Sequence, residues 1–250
     1  MSDSILKKRR PFFRTVCVFF LILLFLFCGI ATYLLSSTLP TASESLRPAP
    51  PLVILDAGHG GEDGGAVGVN GVFEKDLNLS FAFMLADMLR AAGVEVILTR
   101  SEDKLLYTEE ENIKGHRKEY DLKNRLKVAK EHPNALFISI HMNTFPEEKY
   151  SGLQVYYAKG QEGSDALAKS IQTAVATGVQ PENNRKIKPA DSSIYLLHGA
   201  PCRAVLIECG FLSNYGECTL LSEKDYQRRL CFSIFCGMME YIENKGSNMP

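Results

Sequence analysis

Several familiar ligand signatures are missing from these 250 residues. Counting from Gly58 and Gly60, the third glycine of the dinucleotide fingerprint falls on Asp63, and no Gly-Lys-Ser/Thr follows to make a P-loop. Nucleotide binding is therefore a poor fit. Taking the five basic residues and one acid of the first fourteen positions from the totals of 28 Lys+Arg and 29 Asp+Glu leaves a net charge of about minus five. With no basic run in that remainder, nucleic acid is not an expected partner. No C-x-x-C pair occurs among the seven cysteines. Cys17 and Cys28 lie in an apolar stretch, and the other five (Cys202, Cys209, Cys218, Cys231, Cys236) are too odd in number for a fully paired framework. They read as buried small hydrophobes, with room for one bridge. No internal repeat is present.

Charge is also absent from Thr15 to Leu35, directly after Lys7, Lys8, Arg9, Arg10 and Arg14. Twenty-one residues at helical rise suffice to cross a hydrocarbon layer, and the basic flank keeps the N-terminus cytoplasmic. The competing reading is a cleaved signal peptide, but the run is longer than a signal core and no A-x-A site follows. The expected organisation is a basic segment 1–14, a transmembrane helix or signal anchor 15–35, a Pro/Ser/Ala-rich linker 36–51 and one catalytic domain 52–245. That domain is expected outside the cytoplasm.

What is present centres on Val53 to Lys75. The apolar run Leu52–Leu55 breaks into a glycine-dense loop carrying His59, and Glu74 stands where an amphipathic pattern begins. Glycine permits so tight a turn and leaves the imidazole uncovered. Two later runs end likewise in one ionisable group: Ile138 to Asn143 with His141, and Val205 to Phe211 with Glu208. Two histidines and one carboxylate make a catalytic zinc set with a position left for water, and a second carboxylate remains to move protons. Spacing alone does not say whether Glu74 or Glu208 is the ligand.

Leu77, Phe81, Met84, Leu85 and Met88 follow helical spacing up to Gly93. Val94–Leu98 reads as a strand, Ser101–Tyr120 as a charged loop with some helix, and Leu122, Leu126 and Ala129 as a helix closed by His132-Pro133. Strands follow at Leu136–His141 and Gly152–Tyr157, a helix through Leu167, Ile171 and Val175, short strands at Ile194–Leu197 and Ala204–Glu208, and a last helix from Tyr226 to Tyr241. This alternation predicts an α/β fold: a single, mostly parallel (mixed) sheet of about six strands with helices on both faces. Its ligand belongs outside the carboxyl ends of the strands, where His59, His141 and Glu208 all fall.

The chain resembles the zinc-dependent N-acetylmuramoyl-L-alanine amidases, whose pattern is D-x-G-H-G-G-x-D-x-G-A…E-K, S-I-H-x-N and E-x-G-F-L-S-N. All three pieces stand here in order, at Asp56–Ala66 with Glu74-Lys75, at Ser139–Asn143 and at Glu208–Asn214, within a match covering about 52–245. It is most similar to the sporulation branch, the germination-specific enzymes that prepare spore-cortex peptidoglycan for muramic lactam formation. The resemblance implies a phosphorylase/hydrolase-like three-layer fold, Zn2+ on His59, Glu74 and His141, and Glu208 as the catalytic acid and base. The implied substrate is peptidoglycan, cut between the lactyl group of N-acetylmuramic acid and L-alanine. The implied location is the bacterial cell envelope, in a sporulating cell the space between the spore's membranes. Residues 101–122 resemble the same segment of that branch rather than an occluding helix, which implies an open groove and leaves room for a regulatory protein partner.

Other residues have plainer readings beside the functional one. Asp56 and Asp63 either hold loop hydrogen bonds or orient ligand imidazoles. His198 and Asn143 are candidates for substrate contact, although an exposed polar tip is often idle and Asn143, like Asn214, also suits loop shaping. Arg125 matches a family arginine and equally fits a helix-face charge, while His116 and His132 read as surface groups. The rivals are a wall hydrolase that cuts within the peptide and a wall-binding anchor with a retired metal site. Intact ligands and the unpaired Glu208 disfavour the anchor.

Overall fold

The structure, a computed structural model, describes residues 3–38 and 51–246, with the side chains of α1 described at 15, 16 and 18–34. Most of the expected linker, 39–50, lies outside the described residues. The chain divides into two units. The first holds the helix α1 (Asp3–Thr38), whose described side chains are exposed all round. Among the described residues no helix is long and apolar enough to cross a membrane.

The second unit carries β1 (Leu52–Ala57), α2 (Glu74–Ala91), β2 (Glu95–Leu98), α3 (Arg117–Glu131), β3 (Leu136–Asn143), β4 (Gln154–Tyr157), α4 (Ser164–Gly178), β5 (Lys188–Pro189), α5 (Tyr195–Gly199), β6 (Arg203–Phe211), α6 (Tyr215–Ser222) and α7 (Lys224–Gly246). One six-stranded sheet runs in the order β2-β1-β3-β6-β4-β5. β1, β2, β3 and β6 are mutually parallel, and β4 with β5 runs antiparallel to them. The central strands read as continuous apolar runs because both their faces are covered.

On one face α2, α4 and α7 bury Phe81, Leu85, Ile171, Leu230 and Ile234 against Val53, Leu55, Ile138 and Ile207. Each such side chain contributes about 1.5–3 kcal/mol. On the other face α3 and α5 cover a smaller cluster, with Leu126, Leu197 and Phe137 among its members. The i, i+4 stripe Leu77, Phe81, Leu85, Leu89 gives α2 its buried side; acids in its first turn suit the helix dipole, and Gly93 at φ 80° follows its end.

Two readings need correction. Residues 194–197 form no strand: Ile194 caps the five-residue α5, and the sixth strand is instead Lys188–Pro189. A four-residue apolar run carries too little periodicity to separate strand from helix, and a two-residue edge pairing leaves no pattern at all. No disulfide forms among the described cysteines, since Cys28, Cys202, Cys209, Cys218, Cys231 and Cys236 are all free.

Asp56, fully buried near the end of β1, accepts hydrogen bonds from Thr99, Ser139 and the Arg125 guanidinium of α3, the last at 2.7 Å. Burial works against its ionisation, but Arg125 and these hydrogen bonds outweigh that and hold the carboxyl below its ordinary 3.8. Its stabilising contribution is therefore complete above about pH 4 and is lost as pH falls through the lower folded value. Arg125→Met, which leaves the carboxylate unpaired, should cost about 3–5 kcal/mol in urea unfolding at pH 7. It should also flatten the acid limb of the stability profile.

Candidate metal centre

Beyond Ala57 the chain turns through Gly58-His59-Gly60-Gly61, with His59 itself in the left-handed region at φ 60°. A non-glycine residue there is uncommon and must be held. Arg125 Nη2 donates to the His59 carbonyl at 2.7 Å, while Asp63 Oδ2 lies 2.8 Å from His59 Nδ1. The glycines do more than turn the chain. A Cβ on Gly58 would lie 2.2 Å from His141 Cε1, and one on Gly65 would lie 2.5 Å from Glu74 Oε2. Both positions stay bare so that the ligand side chains can occupy the space.

His59, Glu74 and His141 converge, each offering one ligand atom within 4.8 Å of the others. Glu74 Oε2 stands 3.3 Å from His59 Nε2, and Glu74 Oε1 stands 2.9 Å from His141 Nδ1. Four-coordinate bonds near 2.0–2.1 Å space neighbouring donors by about 3.3 Å, so the three residues fit a metal ion. Backbone amides fix the carboxylate: Ala66 N donates to Oε2 and Met142 N to Oε1, with Asn78 Nδ2 close by. Burial opposes its ionisation, yet hydrogen bonds from His141 and His59 hold it far below the usual carboxylate range. Burial likewise pulls His59 down, but Asp63 and Glu74 together raise it to about 9. Asp63 is held low in return by His59 and Lys118, against its own burial.

Glu208 is the Cα partner of His141 on the adjacent strand, which puts the two side chains on one face of the sheet at its carboxyl edge. The residue is half-buried, but its Oε2 is fully buried and has no hydrogen-bond partner among the described residues. Burial lifts the carboxyl to about 7. An orphaned buried oxygen costs stability, and its persistence beside a metal-ligand set marks a group kept for chemistry.

The remaining candidates separate. Asp63 orients the His59 ring, whereas Asp56 serves the loop through Arg125, its hydrogen-bond partners among the described residues being Thr99, Ser139 and Arg125 and neither imidazole. Asn143 lies half-buried at the end of β3, its carbonyl accepting from Leu212 N, and Asn214 caps α6 by accepting from Glu217 N. His198 is exposed on α5. Arg125 is no helix-face charge, being 1% exposed. Residues 101–116 form turns and coil, with α3 beginning only at Arg117. Arg100 escaped the sequence reading: buried beyond β2, it donates to the carbonyls of Ala57, Gly58 and Lys75. It follows its strand as His59 follows β1, so the strand-end rule applied at β2 finds it.

Two imidazoles and a carboxylate beside an unpartnered acid, all at the carboxyl edge of an α/β sheet, define a metal-assisted hydrolase. The profile of the N-acetylmuramoyl-L-alanine amidase family matches residues 53–240, and the chain belongs to that family. The germination-specific N-acetylmuramoyl-L-alanine amidase of Bacillus subtilis is 38% identical over 227 residues, covering 91% of this chain and 93% of that protein. The CwlD amidase of Clostridioides difficile, solved in complex with the GerS lipoprotein, superposes with a TM-score of 0.74 at 41% identity, covering 78% of this chain and 99% of that one. AmiC2 of Nostoc punctiforme superposes with a TM-score of 0.66 at 27% identity, covering 77% and 97%.

Because the metal-free His59 titrates at about 9 and a ligand imidazole must be neutral, metal uptake near pH 7 should release a proton. Affinity should climb about tenfold per pH unit up to that value, read by calorimetry in buffers of differing ionisation enthalpy. Gly58→Ala, which drives a methyl into the His141 ring, should weaken metal binding by at least about tenfold in the same titration.

Proposed function

We propose that this amidase uses Zn2+ to hydrolyse the amide between the lactyl group of N-acetylmuramic acid and L-alanine of the stem peptide, with Glu208 as its catalytic acid and base. The observation that carries the proposal is the buried, unpartnered Oε2 of Glu208 beside the His59, Glu74 and His141 group. Bound zinc, for which two imidazoles and a carboxylate are a suitable donor set, would supply the Lewis acidity that polarises the carbonyl and acidifies water. Glu208 takes the proton of the attacking water and delivers it to the departing amine. A carboxyl lifted to about 7 by burial suits both transfers at neutral pH. Asp63 holds Nδ1 of His59, leaving Nε2 toward Glu74. The two imidazoles keep 18% and 19% of their side-chain surface exposed, so an extended glycan-peptide can reach them. Asn143 and His198 are assigned to contacts with that substrate.

The uncharged stretch 15–35 is proposed to cross a membrane, with 1–14 cytoplasmic, 36–51 as tether and 52–245 acting in the cell envelope. At 1.5 Å per residue it spans about 32 Å, enough for a hydrocarbon core of about 30 Å. A helix apolar all round suits a bilayer, where every face meets hydrocarbon. Similarity to the Bacillus and Clostridioides proteins supports a role in maturing spore cortex for germination. The second of these was solved with a lipoprotein, which supports a protein partner for this chain as well.

Glu208→Gln should keep its zinc and lose about a hundredfold to ten-thousandfold in rate on purified peptidoglycan, with wild-type products identified by mass spectrometry as intact stem peptides beginning at L-alanine. Fragments cut within the peptide, or a variant as fast as wild type, would sink the assignment. The full chain should fractionate with membranes and need detergent for release, whereas residues 51–250 should not.

A further inference from the structure

A cleft of about 750 Å³ opens between the chain after β3, the segment before β5 and the start of α6. Arg185 dominates it. Its guanidinium lies 4.4 Å from the centroid of the Phe211 ring and 5.9 Å from that of Tyr150. Nε donates to Ser151 O and Nη1 to Gln154 Oε1, while Nη2 has no hydrogen-bond partner among the described residues. Two of five N–H donors thus fix the plane, and the remainder form a fork of the kind that grips a carboxylate. Lys149, over Tyr150 at 5.2 Å, adds a second cation to the lining. Of the lining acids, Glu217 is committed to the backbone amides of Gly152 and Phe211, and Glu182 is exposed.

We infer that this cleft is a subsite in which Arg185 binds a carboxylate of the stem peptide, setting which stems the enzyme prefers. The inference rests on the amidase reading and extends it. The cleft is tied to the reacting centre: Gln154, which Arg185 holds, is the Cα partner of Glu208, and Phe211 follows Glu208 by three residues on β6. Three residues of strand measure about 10 Å, so the gripped group lies within about three peptide residues of the scissile amide. The sign of the charge selects the side of the cut. On the sugar side the lactyl carboxyl is consumed in the amide and the amino groups are acetylated, so free carboxylates next to the bond belong to the peptide. Rings of Tyr150 and Phe211 on Arg185 exclude water from one face of the guanidinium, which strengthens the pairing.

The test uses the zinc-loaded full chain in detergent and two synthetic muramoyl peptides, one with free stem carboxyls and one with all of them amidated. Amidation should lower wild-type kcat/KM by about tenfold to a hundredfold, mostly through KM, because the grip is remote from the bond being broken. Arg185→Lys and Arg185→Gln should lose a similar factor on the acid substrate and become nearly indifferent to amidation. If wild type cleaves both peptides equally, or if the variants slow while keeping the full preference for the acid form, the subsite is wrong although the amidase reading stands. Failure of wild type to release peptide from either substrate overturns that reading and the subsite with it.

Discussion

Two buried guanidinium groups hold the loop on which everything catalytic depends. Arg125 donates to the carbonyls of Ala57 and His59, and Arg100 to those of Ala57 and Gly58, so three consecutive carbonyls are pinned from inside the protein. With its carbonyl tied down, His59 is kept in a backbone conformation that it would otherwise leave, and its ring turns outward. Two like charges packed so close require compensation. Asp56 and Asp121 supply it, the first hydrogen-bonded to Arg125 at Nη1 and the second at Nε. The cluster lies under the metal-binding loop and sets its shape before any ion arrives.

The ligand acid is prepared in a similar way. Glu74 opens α2, where its charge suits the helix dipole, and it accepts from the amides of Ala66 and Met142 on two different segments. Those bonds fix the carboxylate by backbone rather than by mobile side chains, as a site needs if its donors are to remain within a few tenths of an ångström. Glu208 is treated in the opposite manner. Strand pairing brings it beside His141, yet its inner oxygen has no donor among the described residues, and burial raises its proton affinity where the hydrogen bonds donated to Glu74 lower that of Glu74. Two glutamates in one site are thereby driven to different protonation behaviour, one by burial and the other by the hydrogen bonds it receives, as the proposed division between binding metal and moving protons requires.

Much of this was legible from the residues alone. The strands ending in His59, His141 and Glu208 announced themselves because each is a buried apolar run closed by one ionisable group, and a parallel sheet sends such ends to one edge. The identity of the ligand carboxylate was not legible from spacing, since it depends on which acid meets backbone amides, a property of the folded loop at 64–66. Arg125 stood open between a family arginine and a helix-face charge, because a helical pattern cannot reveal that the facing strand carries a buried aspartate. The exchange of a strand for α5 at 195–199, and the two-residue β5, were lost because such short elements take their conformation from neighbours rather than from propensity. Asn214 was correctly seen as a loop residue, although its capping of α6 required the helix itself to be recognised.

The outer margins of the sheet carry a separate consequence. One border strand is four residues long, with Arg90 donating to the Val96 carbonyl; the other is two residues long and includes Pro189, which has no amide hydrogen to offer. Short edges of this kind, one with a carbonyl covered by an arginine and the other with a proline, discourage edge-to-edge pairing. Copies of the domain thus gain little from joining strand to strand, which lowers the tendency to fuse into fibrils.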